Sequence, residues 1–265
     1  MSPRHLQRFL LSNAKRGLNV SVEKTDCIVR FNKHADVLVC PANEYLCGAV
    51  LPYFPRGGPC PPQPPTGASA NSWGALDVGP GFLFAAQAVD GVVSQCGGKA
   101  LREACNELPV INDKGHRCQV GHAIPTRAAG QLAAFGFKSV VHCVAPFYDD
   151  TGWDALLERT YLSAWAASAS AAGASASAGS ASVATPLLGA GARGAPVRAA
   201  AAVAARAALK CAAAGGINCA AAGGPAHIRF AVVDVDAYDA LANAFAELIA
   251  LHPATVKRAG AAPDD

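Results

Sequence analysis

The run Leu187-Leu-Gly-Ala-Gly-Ala-Arg-Gly-Ala-Pro196 lies between an apolar stretch, Ser182 to Leu188, and a long alanine-rich stretch with helical composition. A glycine turn that joins a strand to a helix leaves backbone N–H groups unpaired at the positive end of the helix, which suits phosphate. A nucleotide is therefore the first ligand to expect. Gly189, Gly191 and Gly194 also satisfy G-x-G-x-x-G, a pattern of little specificity in a chain that holds 26 glycines.

On either side of this run, strand-like and helix-like segments alternate. Leu18 to Val22, Asp36 to Cys40, Lys138 to Val144, Ser182 to Leu188 and Ile228 to Val233 are short, β-branched and bounded by polar or glycine punctuation. Val89 to Leu108, Ala123 to Phe135, Trp153 to Ala167, Val197 to Ala213 and Ala237 to Leu251 have helical composition or spacing. The alternation predicts an α/β fold around a mixed or mostly parallel sheet. Continuous apolar strands such as Val37-Leu-Val39 require helices on both faces of that sheet. Three stretches fit no element: a proline-rich one at about 52–84, an Ala/Ser/Gly tract at about 167–182 and an Ala/Gly tract at about 214–225. They are expected to be insertions in surface loops of one domain that spans 1–265 with its core at about 18–251, because added loop length costs only logarithmically in closure entropy.

Composition narrows the partners. The net charge of +3 is small and the basic residues are scattered, so direct nucleic-acid binding is not expected. The uncharged stretch between Arg159 and Arg193 is built of Ala, Ser and Gly, which gain little from lipid, so no membrane span is expected either. Ten cysteines with neither a C-x-x-C pair nor a secretory leader predict reduced, mostly buried thiols in an intracellular protein, in cytoplasm or nucleus. The first twenty residues carry Arg4, Arg8, Lys15 and Arg16 without an acid, as organelle transit peptides do; the alternative is an N-terminal helix leading into the first strand. His116, Cys118 and His122 form the tightest Cys/His cluster and are read as ordinary loop residues rather than a metal site.

Two folds use a glycine loop for phosphate. The dinucleotide-binding Rossmann fold needs an acid about twenty residues beyond the turn to hold a ribose. No acid lies between Gly194 and His227, and a single strand follows the loop, so an NAD-dependent oxidoreductase is the weaker reading.

The second possibility comes from segments far apart in the chain. Thr25-Asp26 precedes Ala35-Asp-Val-Leu-Val-Cys-Pro-Ala-Asn43; then come Ala88-Val-Asp-Gly-Val-Val93, Leu101-Arg-Glu-Ala-Cys105, Val120-Gly-His-Ala-Ile-Pro-Thr126, Val140-Val-His-Cys-Val-Ala-Pro146 and the glycine loop. In this order and spacing they resemble the macro domain family, closest to its hydrolase, MacroD-type branch. The resemblance implies a three-layer α/β/α sandwich with a mixed central sheet, a monomer, ADP-ribose as ligand without any cofactor or metal, and mono-ADP-ribosylated proteins as partners.

It also implies roles for particular residues. Asp26 would accept a hydrogen bond from the adenine amino group, since a carboxylate only accepts and that amino group only donates; a turn aspartate is the plain alternative. Asn43 would hold the distal ribose, although asparagine is also common at such a turn. Gly189, Ala190, Gly191, Ala192, Arg193 and Gly194 would wrap the diphosphate. Cys27, Ala42, Val89 and Val233 complete the implied ligand-binding set, Val233 lying near the position where an aromatic ring stacks on adenine in the family. Asp90, with Asn43, would serve catalysis by orienting or deprotonating water beside the anomeric carbon; an ordinary acid in the first turn of a helix is the competing reading.

Five features depart from the family pattern. The proline-rich stretch separates Asn43 from Asp90, and Ala85-Ala-Gln-Ala88 replaces the short glycine run before the aspartate. Cys40 stands where the family has the first asparagine of Asn-Ala-Ala-Asn, and Val233 lacks an aromatic ring. Arg193 occupies a position that is aromatic in many members; it could pair with phosphate, stack through its guanidinium or point to solvent. Release of mono-ADP-ribose or deacetylation of O-acetyl-ADP-ribose is the expected activity, and a non-catalytic reader of ADP-ribosylated proteins is the alternative.

Overall fold

A computed structural model describes residues 6–12, 17–30, 35–46, 88–171, 182–213 and 227–259. The expected proline-rich insertion, the altered glycine run at 85–87 and the Ala/Gly tract lie outside the described residues.

The elements run β1 (Leu6–Ser12), β2 (Gly17–Lys24), β3 (Val37–Pro41), α1 (Val89–Glu107), β4 (Ala123–Arg127), α2 (Gln131–Ala134), β5 (Ser139–Cys143), α3 (Trp153–Ala171), β6 (Ser182–Thr185), α4 (Val197–Ala213), β7 (His227–Val232), α5 (Val235–Leu251) and β8 (Val256–Arg258). The strands form one sheet in the order β4-β5-β3-β6-β7-β2-β1-β8. The five strands β5, β3, β6, β7 and β2 are parallel, while β4, β1 and β8 pair antiparallel at the margins. This is a mixed sheet, and its strand order is not that of a Rossmann domain.

Alternation along the strands builds the layers. On β3, Val37 and Val39 face the core packed by α3, α4 and α5, whereas Leu38 and Cys40 face the core packed by α1 and α2. Every one of those four side chains is fully buried, as a parallel strand covered on both faces requires. The alanine-rich face of α4 buries Ala200, Ala201, Ala204, Ala207 and Ala208, small side chains that let α3 and α5 approach closely. The result is the expected three-layer α/β/α sandwich.

Three sequence expectations need correction. Ala123 to Phe135 is not one helix but strand β4 followed by the single turn α2. Pro125 has no N–H to give and is tolerated because β4 pairs only with β5, at the sheet margin. Gly130 and Gly136, at φ +56° and +92°, bracket the turn and stop it from lengthening. The N-terminal segment is strand β1 rather than a helix. Its Phe9 and Leu11 alternate with less buried neighbours, and Phe9 stacks on Phe245 of α5 at 5.0 Å. Finally, α3 continues to Ala171, into the tract expected to be an insertion from about 167. Strands β1 and β8 extend the sheet beyond the expected 18–251 core.

Seven cysteines lie among the described residues, all as free thiols and all but Cys27 buried. No helix among the described residues is long and apolar enough to cross a membrane. Among the same residues no group of three His, Cys, Asp or Glu is arranged to hold a metal ion. His116 instead meets Tyr45 edge-on at 4.7 Å, and burial pushes the Cys118 thiol up to about 12.

Candidate functional site

Parallel strands deliver their following loops to one edge of a sheet, and ligands of α/β folds bind there. Along that edge the order β3-β6-β7-β2 places Ala42 and Asn43 first, then the glycine loop, then Val233, then Asp26 and Cys27. With strands about 4.8 Å apart, the distance from the end of β3 to the end of β2 is about 14 Å.

The glycine loop is anchored from below. The Leu188 N–H donates to Tyr161 Oη at 2.8 Å, and burial holds that phenol above its usual range. The Ala195 N–H closes the turn on the Gly189 carbonyl at 3.0 Å, and the Gly194 N–H on the Gly191 carbonyl at 2.9 Å. Gly189 and Gly194 adopt φ of +83° and +79°, a region that side-chain-bearing residues rarely enter. At Gly191 an added Cβ would meet nothing within 4 Å, so the face of the loop is open there. Among the described residues no backbone acceptor takes the N–H of Ala190, Gly191, Ala192 or Arg193. These donors, followed by an α4 whose first turn carries no acid, form an anion cradle.

Arg193 does not point to solvent. Its guanidinium carbon sits 4.2 Å from the centre of the Phe147 ring, and Nη2 donates to the Ala42 carbonyl at 3.4 Å and lies 3.5 Å from Glu44 Oε2. Nη1 is buried and has no hydrogen-bond partner among the described residues. Burial presses this guanidinium below its usual range while Glu44 opposes the shift. The side chain thus ties the glycine loop to the loop after β3 and to the loop after β5, and the Tyr148 N–H adds a bond to the Arg193 carbonyl at 2.9 Å. Glu44, Phe147 and Tyr148 were not read from the sequence. The available signal was position: each falls just past the carboxyl end of a parallel strand.

Asn43 is 6% exposed, and its Oδ1 accepts the Tyr45 N–H at 3.1 Å, an Asx turn that shapes the loop. The Ala42 N–H donates to the Cys143 carbonyl at 2.8 Å, fixing this strand end against β5. Asp90 lies in the first turn of α1, half-buried next to Val89, after an N-cap, Ala88, that offers no side-chain cap. The Cys40 thiol donates to Asp90 Oδ1 at 3.6 Å. The aspartate therefore stands at the end of the strand that carries Asn43, despite the long intervening segment. At the other end of the site Asp26 is exposed, Cys27 is half-buried and accepts the Arg30 N–H on its sulfur at 3.4 Å, and Val233 is 52% exposed.

An α/β/α sandwich with an anion-cradling glycine loop between two carboxylate-bearing ends is an arrangement chemically suited to a nucleotide. Residues 79–204 match the model of the macro domain family. A macro domain-containing protein of Caldanaerobacter subterraneus subsp. tengcongensis is 33% identical over 126 residues, which cover 47% of this chain and 64% of that relative's length. The macrodomain of Oceanobacillus iheyensis, solved with ADP, superposes with a TM-score of 0.61 at 18% identity, covering 93% of this chain and 99% of the other. The macrodomain of Trypanosoma brucei in complex with ADP-ribose gives a TM-score of 0.52 at 16% identity, covering 84% of this chain and 68% of the other. Residues 79–204 thus resemble the macro domain family, and the chain has the fold of these solved macrodomains.

Proposed function

We propose that this chain binds ADP-ribose and, as a member of the hydrolase, MacroD-type branch, releases mono-ADP-ribose from modified protein side chains or deacetylates O-acetyl-ADP-ribose. The observation that carries the reading is the order of groups along the sheet edge: Asn43 and Asp90, the anion cradle, then Val233 and Asp26. ADP-ribose has the same order in its covalent structure, with a distal ribose, a diphosphate and an adenosine. Family neighbours solved with ADP and with ADP-ribose support the same ligand class here.

In this reading the N–H groups of residues 190–193 and the α4 N-terminus take the diphosphate, and Asp26 accepts from the adenine amino group. Asn43 offers its amide to the distal ribose. Asp90 orients a water toward the anomeric carbon and stabilises the positive charge that develops there. Calorimetry should show heat with ADP-ribose and much weaker binding of NAD; no heat at millimolar ADP-ribose sinks the reading. Asp90→Ala is expected to abolish release of ADP-ribose from an automodified transferase while affinity for free ADP-ribose stays within about threefold.

The Asx turn at Asn43 favours a second reading, in which that amide only shapes the loop and the protein recognises ADP-ribosylated partners without turnover. No release in the wild type decides for the reader, whereas unchanged release in Asp90→Ala removes Asp90 from the mechanism.

A further inference from the structure

The Cys40 thiol is fully buried, titratable and unused by the chemistry described above. We propose that Cys40 is a positioning residue of Asp90: its S–H donates to Oδ1 and helps to fix the rotation of the carboxylate at the strand end next to Asn43. The proposal rests on the hydrolytic reading of the site for its catalytic consequence, but not for the contact itself.

The anchor is rigid. Cys40 is the penultimate residue of β3 and pairs with His142 of β5, and the chain is pinned again two residues on, where the Ala42 N–H meets the Cys143 carbonyl. The His142 ring is engaged elsewhere, with Nε2 against Thr126 Oγ1 at 2.9 Å and Cys105 Sγ at 3.6 Å. A carboxylate in the first turn of a helix is drawn to the positive end of that helix, but the dipole acts on its charge and not on its rotation. A directional donor on a fixed strand acts on that rotation.

The thiol is also suited to stay a donor. Burial, then the adjacent Asp90 carboxylate, pushes its ionisation well above the usual cysteine range, so it remains S–H wherever the carboxylate is charged. A cysteine that merely filled space here could be exchanged for another small residue without consequence beyond packing. One that orients Asp90 could be exchanged only for a residue that donates.

The test uses the whole chain with Cys40→Ala, Cys40→Val and Cys40→Ser. Infrared difference spectra identify the Cys40 S–H stretch by its loss in Cys40→Ser. The expected result is a band at lower frequency than that of an unbonded thiol, which moves up in Asp90→Ala. In release of ADP-ribose from an automodified transferase, Cys40→Ala and Cys40→Val should each lose about tenfold in kcat at unchanged KM, and Cys40→Ser should recover most of it. Two non-donating variants of different volume separate loss of the donor from a packing defect. A band indifferent to Asp90→Ala, or a Cys40→Val enzyme with wild-type kcat, overturns the proposal. A shifted band in a wild type that releases no ADP-ribose upholds the thiol–carboxylate contact and sinks the hydrolytic reading alone.

Discussion

Arg193 is the residue whose neighbours leave it with two jobs. Stacked on Phe147 and paired with Glu44, it closes the glycine loop against the loop after β3, yet it keeps one buried nitrogen without a partner among the described residues. A buried unpaired donor of a charged group is costly, and an oxygen of a bound diphosphate or ribose would satisfy it. Arg193→Ala is therefore expected to weaken ADP-ribose binding by about tenfold, as loss of a hydrogen bond to a charged group would, while adenosine binds as before. Arg193→Phe, which places a ring beside Phe147, should recover a part of the packing and none of the hydrogen bonding to the ligand. Equal ADP-ribose affinity in wild type and Arg193→Ala, measured by calorimetry, would leave Arg193 as a loop tether only. The sequence marked this position as unusual, but which of three roles it takes depended on Glu44 and Phe147, which lie on other loops.

At the scale of the element, the glycine loop and β4 show how backbone conformation decides. The loop glycines, expected to wrap the diphosphate, are not equivalent: at Gly189 the left-handed backbone and the nearby Leu157 both exclude a side chain. A Cβ there would lie 3.2 Å from Leu157 Cδ2. Gly189→Ala should lower stability by about 1 to 2 kcal/mol and weaken ADP-ribose binding, because the loop must shift to relieve both strains. Gly194→Ala has the same backbone cost and open space around it, so about 1 kcal/mol and a smaller binding loss are expected. Thermal melts with and without ADP-ribose check both; equal effects of the two would contradict the part assigned to Leu157. The segment 123–135 misled because its composition is helical over most of its length. The helix lost to two glycines in positive φ and to the chance for Ala123–Arg127 to pair with β5. Period-two burial of Phe9 and Leu11 was visible in β1, but a strand that short is recognisable only by the neighbour it pairs with.

At the scale of the whole molecule, the core on the α1 side of the sheet contains a buried histidine that links stability to pH. Burial, helped by Arg102, lowers His142 from the usual 6.5 to about 4, so the fold holds it neutral while the unfolded chain protonates it first. Its contribution is complete above about pH 6.5 and is lost as pH falls toward 4, on the order of 2 to 3 kcal/mol across that window. Denaturant melts at pH 7 and pH 4.5 should show this loss, and His142→Gln should flatten the slope; an unchanged slope in that variant would assign it to other groups. The fold class and the glycine loop were legible in the sequence, because apolar periodicity and glycine placement are local properties, whereas Asp26, Asn43 and Asp90 became candidates only through the resemblance to a known family. The tertiary structure alone decided that Cys40 meets Asp90, that Arg193 turns inward and that β1 and β8 complete the sheet. Each of those outcomes depends on contacts between segments distant in the chain, which no local pattern encodes.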